Sequence, residues 1–198
     1  MNYKLPITYE QGIELLKKYN EPGDMNHYLE SGAVMKQLAE HLKLPAEQVN
    51  YWQMLGLLHD IDWGLTKNEV NTHLTKAPEL LKEAGFDSDF IETVLSHGYG
   101  FEELPHLKGK QRTEKIQHAL AASETITGLI HAYALMRGNK ISDMEAKGLK
   151  KKFKDKAFAA KVERGIIEEI QDLGINLEDF FKVAIEGIKN IKEKVGLE

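Results

Sequence analysis

The chain has 198 residues, which suits one domain of ordinary size with a real hydrophobic core. Apolar residues make up 42% and charged residues 29%, a balance typical of globular chains and not of disordered ones. The formal net charge of −5 argues weakly against broad nucleic-acid binding, and the lack of cysteine excludes disulfides, thiolate metal sites and cysteine nucleophiles. No apolar run resembles a signal peptide or reaches membrane-spanning length, so we expect a cytoplasmic protein without nucleic-acid or membrane partners. Its oligomeric state is left open.

Nearly every segment has the apolar spacing of an amphipathic helix, and none shows convincing strand alternation. The first three helices are predicted over 8–19, capped by Thr8, over 24–42, capped by Asp24, and over 45–60, with Pro45 in the first turn. A fourth helix over 72–85 opens near His73, and Pro78 predicts a kink or a restart within it.

A short helix over 87–98 ends on His97, and the longest and most apolar helix covers 113–138. Three or four further helical pieces follow, between residues 142 and 196. No internal repeat or flexible linker divides the chain. The sequence therefore predicts one all-α domain, a single helical bundle over 1–198. We expect its core over about 24–136 and a C-terminal helical extension over about 141–198.

Ionisable side chains occur in several of these helices at positions that suit a metal site. His27 lies in the second helix, His59 and Asp60 close the third, and Glu124 sits in the middle of the long apolar helix. A buried carboxylate at such a position is costly unless a cation or hydrogen bonds compensate it. Imidazole and carboxylate ligands projecting inward from several helices suit a divalent transition metal such as Fe, Mn, Co, Ni or Zn.

The alternative for each residue is structural. A His-Asp dipeptide is common by chance, and a lone histidine at a helix end is more often a capping residue than a ligand. The spacing alone leaves both interpretations open.

The segments around these residues resemble one family. "GLLHDIDW", residues 56–63, is similar to the "LLHDIDY" of one branch of the HD superfamily of metal-dependent phosphohydrolases. "ALAASETITGLIHAYALMR" resembles the "AADELTGLI" helix of that branch, and "GLKKKFKDKAFAAKVER" resembles its basic downstream segment. The resemblance covers nearly the whole chain, and it implies a helical bundle of the HD-domain type with a buried metal site.

Position by position, the resemblance implies that His27, His59 and Asp60 hold a first metal, with Glu124 at the place where the family usually has Asp. Dinuclear members hold a second metal at the positions of His73 and His97, with Asp60 bridging. They often carry another histidine where this chain has Gly98. The resemblance therefore implies one or two ions, and favours a dinuclear site. The alternative for His73 and His97 is phosphate binding or helix-end polarity.

Asp60 is the first catalytic candidate, because it can touch two metals, and Asp62 is the second. Asp62 would orient an imidazole or a metal-bound water, or it is simply a turn residue before Gly64. Glu30 shares the helix face of His27, and either faces the site or is exposed. The remaining histidines are interpreted as helix-end, loop, packing or surface residues: His41, His106, His118 and His131.

Basic residues that could bind a substrate phosphate are concentrated after the long helix. The candidates are Arg112, Arg137, Lys151 and Lys154. The alternative is a solvated charged face.

These patterns favour a metal-dependent phosphohydrolase (EC 3.1, a mono- or diesterase) that cleaves a small phosphorylated substrate, a nucleotide or a related phosphoester, with metal-activated water. The alternative is a degenerate, non-catalytic module that senses a metal or a nucleotide, which Glu124 and Gly98 would permit. A hydrolase of cyclic dinucleotides or guanosine tetraphosphate ranks lower, because the extra motifs of those branches are missing.

Overall fold

Ten α-helices run through residues 2–198, the part of the chain that the computed structural model describes. They are α1 (Tyr9–Tyr19), α2 (Met25–His41), α3 (Ala46–Leu58), α4 (Trp63–Thr66), α5 (Ala77–Glu83), α6 (Ser88–Ser96), α7 (Lys115–Met136), α8 (Ala146–Lys154), α9 (Arg164–Glu168) and α10 (Leu177–Lys189). Short 3-10 turns join several of them, and no strand occurs within these residues. The predicted all-α class is confirmed.

Most of the predicted helix starts agree with the structure to within a residue. Thr8 caps α1, because its side chain accepts from the Gln11 amide while the Gln11 side chain accepts from the Thr8 amide. Asp24 occupies the position before α2, but its side chain makes no capping hydrogen bond. Pro45 precedes α3 by one residue instead of lying inside its first turn.

The prediction that His73 opens a helix is wrong. Residues 70–72 form a 3-10 turn, His73 is extended, and α5 begins only at Ala77, with Pro78 in its first turn. Pro78 therefore lies at the start of α5, where its missing amide costs no hydrogen bond, instead of at a kink or restart inside a longer helix. Residues 73–76 are held outside a helix because side-chain oxygens of Asp62 accept from the backbone amides of Leu74, Lys76 and Ala77.

Helices α2 and α3 cross at two glycines, which lets their backbones approach closely. A Cβ atom at Gly56 would lie 2.5 Å from the Ser31 carbonyl oxygen, and one at Gly32 would lie 3.2 Å from the Gln53 carbonyl oxygen. On another side of α2, a Cβ at Gly187 in α10 would lie 2.8 Å from the Ala33 carbonyl oxygen. These contacts fix the position of α2, which carries His27, relative to the end of α3, which carries His59.

The hydrophobic core is continuous from the N-terminal helices to the C-terminal ones. Helix α2 packs against α3, α7 and α10, and α7 also packs against α9. Phe180 and Phe181 of α10 are fully buried in the same cluster as Leu57 and Leu58 of α3. The predicted C-terminal extension thus shares its core with the rest of the chain. None of the helices within residues 2–198 has the length and apolarity needed to cross a membrane.

Replacement of Gly56 by Ala tests the close crossing of α2 and α3. The added methyl group meets backbone atoms that cannot rotate away, so we expect a loss of about 2 kcal/mol or more in the free energy of unfolding, measured by urea denaturation. Gly23→Ala is the matched control, since nothing lies within 4 Å of a Cβ there. Equal stability of the two variants would contradict the crossing.

Candidate metal centre

His59 and Asp60 follow directly after α3, where the buried end of that helix holds them in place. The residues that precede them, Leu57 and Leu58, are fully buried. His59 is itself fully buried, and its Nδ1 donates to the Gly56 carbonyl oxygen at 2.8 Å. The apolar end of α3 therefore sets the position of the imidazole as well as that of the backbone.

A buried asparagine holds the turn after His59-Asp60. The Asn20 side chain donates to the Leu16 and Ile61 carbonyl oxygens and accepts from the Gly64 amide and the Tyr28 hydroxyl. Asn20 lies at the end of α1, 41 residues from Ile61. It satisfies the polar groups of a buried turn and so fixes the backbone on either side of Asp62.

Asp62 is fully buried and faces away from the centre that its neighbour Asp60 enters. One of its oxygens lies 3.1 Å from His73 Nδ1 and 3.2 Å from the Leu74 amide nitrogen. Leu74 has the left-handed φ of +68°, a conformation that L side chains rarely adopt and that Asp62 helps to hold. Trp63 packs edge-on against the His73 ring. Asp62 is therefore a positioning residue for His73, the orienting role considered for it.

Two three-residue groups of ligand atoms meet at Asp60. His27, His59 and Asp60 form one group, and Asp60, His73 and His97 form the other, with the ligand atoms of each within 4.8 Å of one another. Oδ2 of Asp60 lies 3.8 Å from His27 Nε2 and 3.5 Å from His59 Nε2. Oδ1 lies 3.1 Å from Nε2 of both His73 and His97. Each carboxylate oxygen thus faces one pair of imidazoles.

The outer nitrogen of each of these four imidazoles has its own partner. His59 and His97 donate from Nδ1 to the backbone carbonyls of Gly56 and Val94. His27 Nδ1 lies 3.0 Å from the Thr127 hydroxyl, which gives its own hydrogen to the Glu124 carbonyl and so accepts from the ring.

His73 Nδ1 lies 3.1 Å from an Asp62 oxygen, an ion-pair contact without the geometry of a hydrogen bond. Outer partners of this kind fix the tautomer of a metal-binding histidine. All four rings therefore point Nε2, the nitrogen with the free lone pair in a neutral ring, toward Asp60.

This donor set fits a divalent transition metal. Nε2 of His27 and Nε2 of His59 lie 3.0 Å apart, and with both Nδ1 atoms protonated their lone pairs face each other. Burial lowers the pKa of His59 to about 3, so its ring is neutral, the form that binds a metal. A cation between the two nitrogens turns this repulsion into coordination. Four nitrogens and one carboxylate suit Fe, Mn, Co, Ni or Zn better than Ca.

The ionisation of Asp60 and the protonation of His73 depend on each other. Although burial opposes its ionisation, His59 and His73 hold the pKa of Asp60 well below its usual range. Burial likewise opposes protonation of His73, but Asp60 and Asp62 raise its pKa to about 10. Without a cation the His73 ring therefore carries a proton between two carboxylates. That proton must leave before Nε2 can bind a metal.

Glu124 lies at the same cavity but outside both groups of ligand atoms. Its carboxylate accepts from the neighbouring Thr125 hydroxyl. Burial raises its pKa, and the nearby imidazoles of His97 and His27 oppose that rise. Coordination by Glu124 stays a prediction, while its backbone carbonyl already acts on the site through Thr127 and His27.

Gly98 stands where the family resemblance implies another histidine, and the structure leaves no room for a side chain there. A Cβ atom would lie 2.7 Å from a methyl of Leu74 and 2.9 Å from methyls of Leu104 and Leu107. Leucine methyl groups thus occupy the space that a ligand side chain at position 98 would need.

Arg112, a predicted phosphate ligand, has its guanidinium occupied by protein groups. Nε and Nη2 each bond an oxygen of Glu169 at 2.6 Å, and Nη1 donates to the Ser96 and Tyr99 carbonyl oxygens. Ser96 ends α6, immediately before His97, so Arg112 satisfies carbonyl groups that the helix end leaves open. His118 also bonds Glu169, at 2.7 Å.

The other predicted phosphate ligands lie outside the cavity. Arg137 pairs with the exposed Asp143, and the lining of the cavity includes neither Lys151 nor Lys154. The cavity measures about 1040 Å³, and Asp60, His73, His97 and Glu124 contribute to its wall. Lys161, which the sequence analysis did not single out, also lines it.

Several remaining ionisable residues form structural pairs. Glu30 is neither exposed nor in the cavity, because it is buried against His131 at 2.7 Å. His118 and His131 are thus ion-pair partners, beyond the packing or surface role predicted for them. His41 ends α2, and His106 lies in the 3-10 turn Pro105–Leu107.

Sequence reasoning missed Asn20, Thr127 and Glu169. Thr127 carried a weak signal, since a polar residue one turn from Glu124 interrupts an apolar helix. Glu169 carried none.

Replacement of Arg112 by Gln tests whether this residue supports the centre. The change leaves the half-buried Glu169 with His118 but without its arginine partner and frees the end of α6, so we expect a loss of about 3 kcal/mol in the free energy of unfolding. Metal bound per chain, measured by plasma mass spectrometry, should also fall. Arg137→Gln is the control, because its exposed pair contributes only about 0–1 kcal/mol. Equal effects of the two variants on stability and metal content would contradict the role of Arg112.

Comparison with known families supports the resemblance noted in the sequence. The family model of the HD domain matches residues 25–127, 103 of the 198 residues, a range that contains every member of the two groups of ligand atoms. No curated protein and no solved structure matches the chain. The matched range covers more than half of the sequence, and the chain belongs to the HD domain family, the superfamily of metal-dependent phosphohydrolases.

Proposed function

We propose that this protein is a metal-dependent phosphohydrolase that cleaves a small phosphorylated substrate, a nucleotide or a related phosphoester. The observation that carries the proposal is the position of Asp60, whose two oxygens face two separate pairs of imidazole nitrogens. Such a carboxylate is suited to bridge two divalent ions. Two divalent ions held by these residues would supply electrostatic stabilisation of the attacking and the leaving oxygen of a phosphoryl transfer.

Some residues of the site would bind the metals, and others orient these ligands. His27 and His59 would hold one ion and His73 and His97 the other, with Asp60 shared. Bound there, divalent ions supply a polarised phosphoryl oxygen and a water whose pKa is lowered to near neutrality. Asp62, Thr127 and the backbone carbonyls keep the Nε2 atoms pointed inward, so little reorganisation is needed when metal and substrate arrive.

The cavity next to this centre supports a small substrate. Its volume of about 1040 Å³ is at the upper end of the range of sites for small ligands, and its wall includes Asp60, His73 and His97. A phosphoryl group at the metals would leave the rest of the substrate in this cavity.

Replacement of Asp60 by Ala is expected to abolish hydrolysis. The variant loses the carboxylate whose two oxygens face the two pairs of imidazoles, so metal content should fall to about half or less and turnover by about 10³-fold or more. The assays are metal analysis and hydrolysis of 4-nitrophenyl phosphate and bis(4-nitrophenyl) phosphate with Mn, Co, Ni, Fe or Zn. The helical circular-dichroism signal should persist, and Asp143→Ala, an exposed aspartate outside the cavity, should behave as the unmodified protein. Absence of bound metal and of turnover with every ion in the unmodified protein would exclude the proposed function.

The second candidate is a non-catalytic module that binds a metal or a nucleotide. The observation in its favour is that Glu124 bonds Thr125 and lies outside both groups of ligand atoms, while Gly98 leaves no room for another ligand.

Glu124→Asp separates the two candidates. We expect the unmodified protein to turn over substrate and the variant to keep its metal content, with activity changed by no more than about tenfold, since the carboxylate is retained at the cavity wall. Activity that appears only in the Asp variant would show that the natural site has degenerated and would favour the sensor. Steady-state kinetics and metal analysis of the unmodified protein and the variant distinguish the hydrolase from the non-catalytic module.

A further inference from the structure

We propose that Glu169, which lies outside the range that the HD domain model matches, is a positioning residue for one of the two metal positions and not for the other. This inference rests on the proposed function and specifies how its two ions are held. We name the positions site A, formed by His27, His59 and Oδ2 of Asp60, and site B, formed by His73, His97 and Oδ1 of Asp60. Glu169 acts on site B, through Arg112.

Glu169 holds the guanidinium of Arg112 with both of its carboxylate oxygens. Arg112 Nη2 donates to Oε1 at 2.6 Å, and Oε2 accepts from Arg112 Nε at 2.6 Å and from His118 Nδ1 at 2.7 Å. Two parallel bonds of this kind fix the plane of a guanidinium as well as its place. Only 8% of the Arg112 side chain and 24% of the Glu169 side chain are exposed, so solvent screens the pair weakly. Although burial opposes the ionisation of Glu169, Arg112 and His118 hold its pKa below the usual range.

The remaining terminal nitrogen of Arg112, Nη1, binds the segment that carries His97. It donates to the Ser96 carbonyl oxygen at 2.9 Å and to that of Tyr99 at 2.8 Å, and it lies 3.4 Å from the carbonyl oxygen of His97 itself. These carbonyls belong to the residue before His97, to His97 and to a residue just after it. The guanidinium therefore holds the backbone from which this ligand of site B projects.

The His97 imidazole follows that backbone closely. Its Nδ1 donates to the Val94 carbonyl oxygen at 2.7 Å, and its Nε2 lies 3.1 Å from Oδ1 of Asp60. Leu74, the residue after the other imidazole of site B, packs so tightly on Gly98 that a Cβ atom there would lie 2.7 Å from its methyl group. Ligands must be held to within about 0.5 Å of their productive positions. A shift of the segment after α6 would therefore affect both imidazoles of site B.

Site A is held by other contacts. Nδ1 of His27 lies 3.0 Å from the Thr127 hydroxyl in α7, and Nδ1 of His59 donates to the Gly56 carbonyl oxygen in α3 at 2.8 Å. In the part of the chain that the structure describes, neither the guanidinium nor the carboxylate that holds it bonds any of these four residues. The wall of the cavity that this pair lines includes both imidazoles of site B and neither imidazole of site A.

The charge of Glu169 acts on site B in the same direction as its hydrogen bonds. Arg112 lines the metal cavity, and its positive charge would repel a divalent ion there if no carboxylate compensated it. Glu169 supplies this compensation at hydrogen-bonding distance. Loss of the carboxylate charge thus weakens site B in two ways, because it frees the guanidinium and leaves an uncompensated cation in the cavity wall.

Replacement of Glu169 by Gln tests this role in the full-length protein. Metal-stripped protein is titrated with Mn²⁺ by isothermal calorimetry, and we expect two ions per unmodified chain. In the variant, one ion should keep its Kd within about threefold and the other should bind about tenfold more weakly, the size of effect that outer partners of metal ligands have. Glu168→Gln is the matched control, since Glu168 is an exposed neighbour in the chain that does not line the cavity, and it should bind both ions normally.

Electron paramagnetic resonance shows whether the ions are bound in pairs, because Mn²⁺ ions that share a carboxylate are spin-coupled. At one intermediate Mn²⁺ concentration, the unmodified protein and the Glu168 variant should give the coupled signal. The Glu169 variant should give mainly the signal of an isolated ion. A general loss of stability would lower the occupancy of both sites and would not produce this change.

Variants that lack one site assign the weakened ion. His27→Ala removes a ligand of site A, and His97→Ala removes a ligand of site B. Addition of Glu169→Gln should weaken the remaining ion about tenfold in the His27 variant and leave it unchanged in the His97 variant, since residues that act on one site are not additive.

Circular dichroism checks the fold of each variant. If Glu169→Gln loses its helical signal, Glu169→Asp serves the same test, because it keeps the charge but is one methylene too short for both bonds to Arg112. The ion of site B should then weaken by about threefold or more, with site A unchanged.

Equal weakening of both ions, no weakening of either, or a single ion in the unmodified protein would overturn the inference. Selective weakening of site B in a protein that hydrolyses neither 4-nitrophenyl ester would keep the inference and exclude the hydrolase function. Hydrolysis by a protein whose two ions are weakened alike would do the reverse.

Discussion

The structure depends on the charge balance among four imidazoles that surround one half-buried carboxylate, that of Asp60. Three of the rings give their Nδ1 hydrogen to an outer acceptor, and Nδ1 of His73 lies 3.1 Å from an Asp62 oxygen, so each Nε2 faces Asp60 with a lone pair when the ring is neutral. Two such nitrogens, of His27 and His59, lie only 3.0 Å apart. This arrangement is unfavourable without positive charge between its members, and protons or metal ions are the two possible sources. Where metal is absent, Asp60 and Asp62 raise the pKa of His73, so a proton supplies positive charge beside Oδ1 of Asp60 but not between His27 and His59.

The fold can hold such a cluster because the contacts around it involve backbone groups and closely packed helices, which cannot move away from the repelling rings. Backbone carbonyls of Gly56 and Val94 orient two of the rings, and a helix crossing with glycine at its closest point sets the distance between α2 and α3. Asn20 and Asp62 satisfy the amides and carbonyls of the turns that carry the other ligands. Packed cores resist small shifts, so these contacts keep the imidazoles in place despite their mutual repulsion.

The sequence predicted the parts of this arrangement that depend on local pattern. Helical spacing located nearly all helices, Pro78 marked the start of α5, and family resemblance singled out the four histidines and Asp60 that the structure brings together. Ion pairs between residues far apart in the chain could not be predicted from local sequence patterns. Arg112 was interpreted as a phosphate ligand because nothing near it in sequence shows its partner Glu169, which lies 57 residues away. Glu30 and His131, 101 residues apart, are a second case, since each has an unremarkable local context and only the packing of α2 on α7 joins them.

The residues beyond the family match also shape what the site can accept. Glu169 follows α9 directly and holds Arg112, which in turn holds the end of α6 beside His97. The same region supplies Glu163 and Lys161 to the cavity. The C-terminal part therefore contributes twice to the region around the metal ligands: Glu169 pairs with the arginine that would otherwise attract anions, and Glu163 and Lys161 line the cavity. Metal ions held by Asp60 and its imidazoles would then add positive charge beside the carboxylates of the cavity lining, where an anionic group of a substrate would be drawn to them.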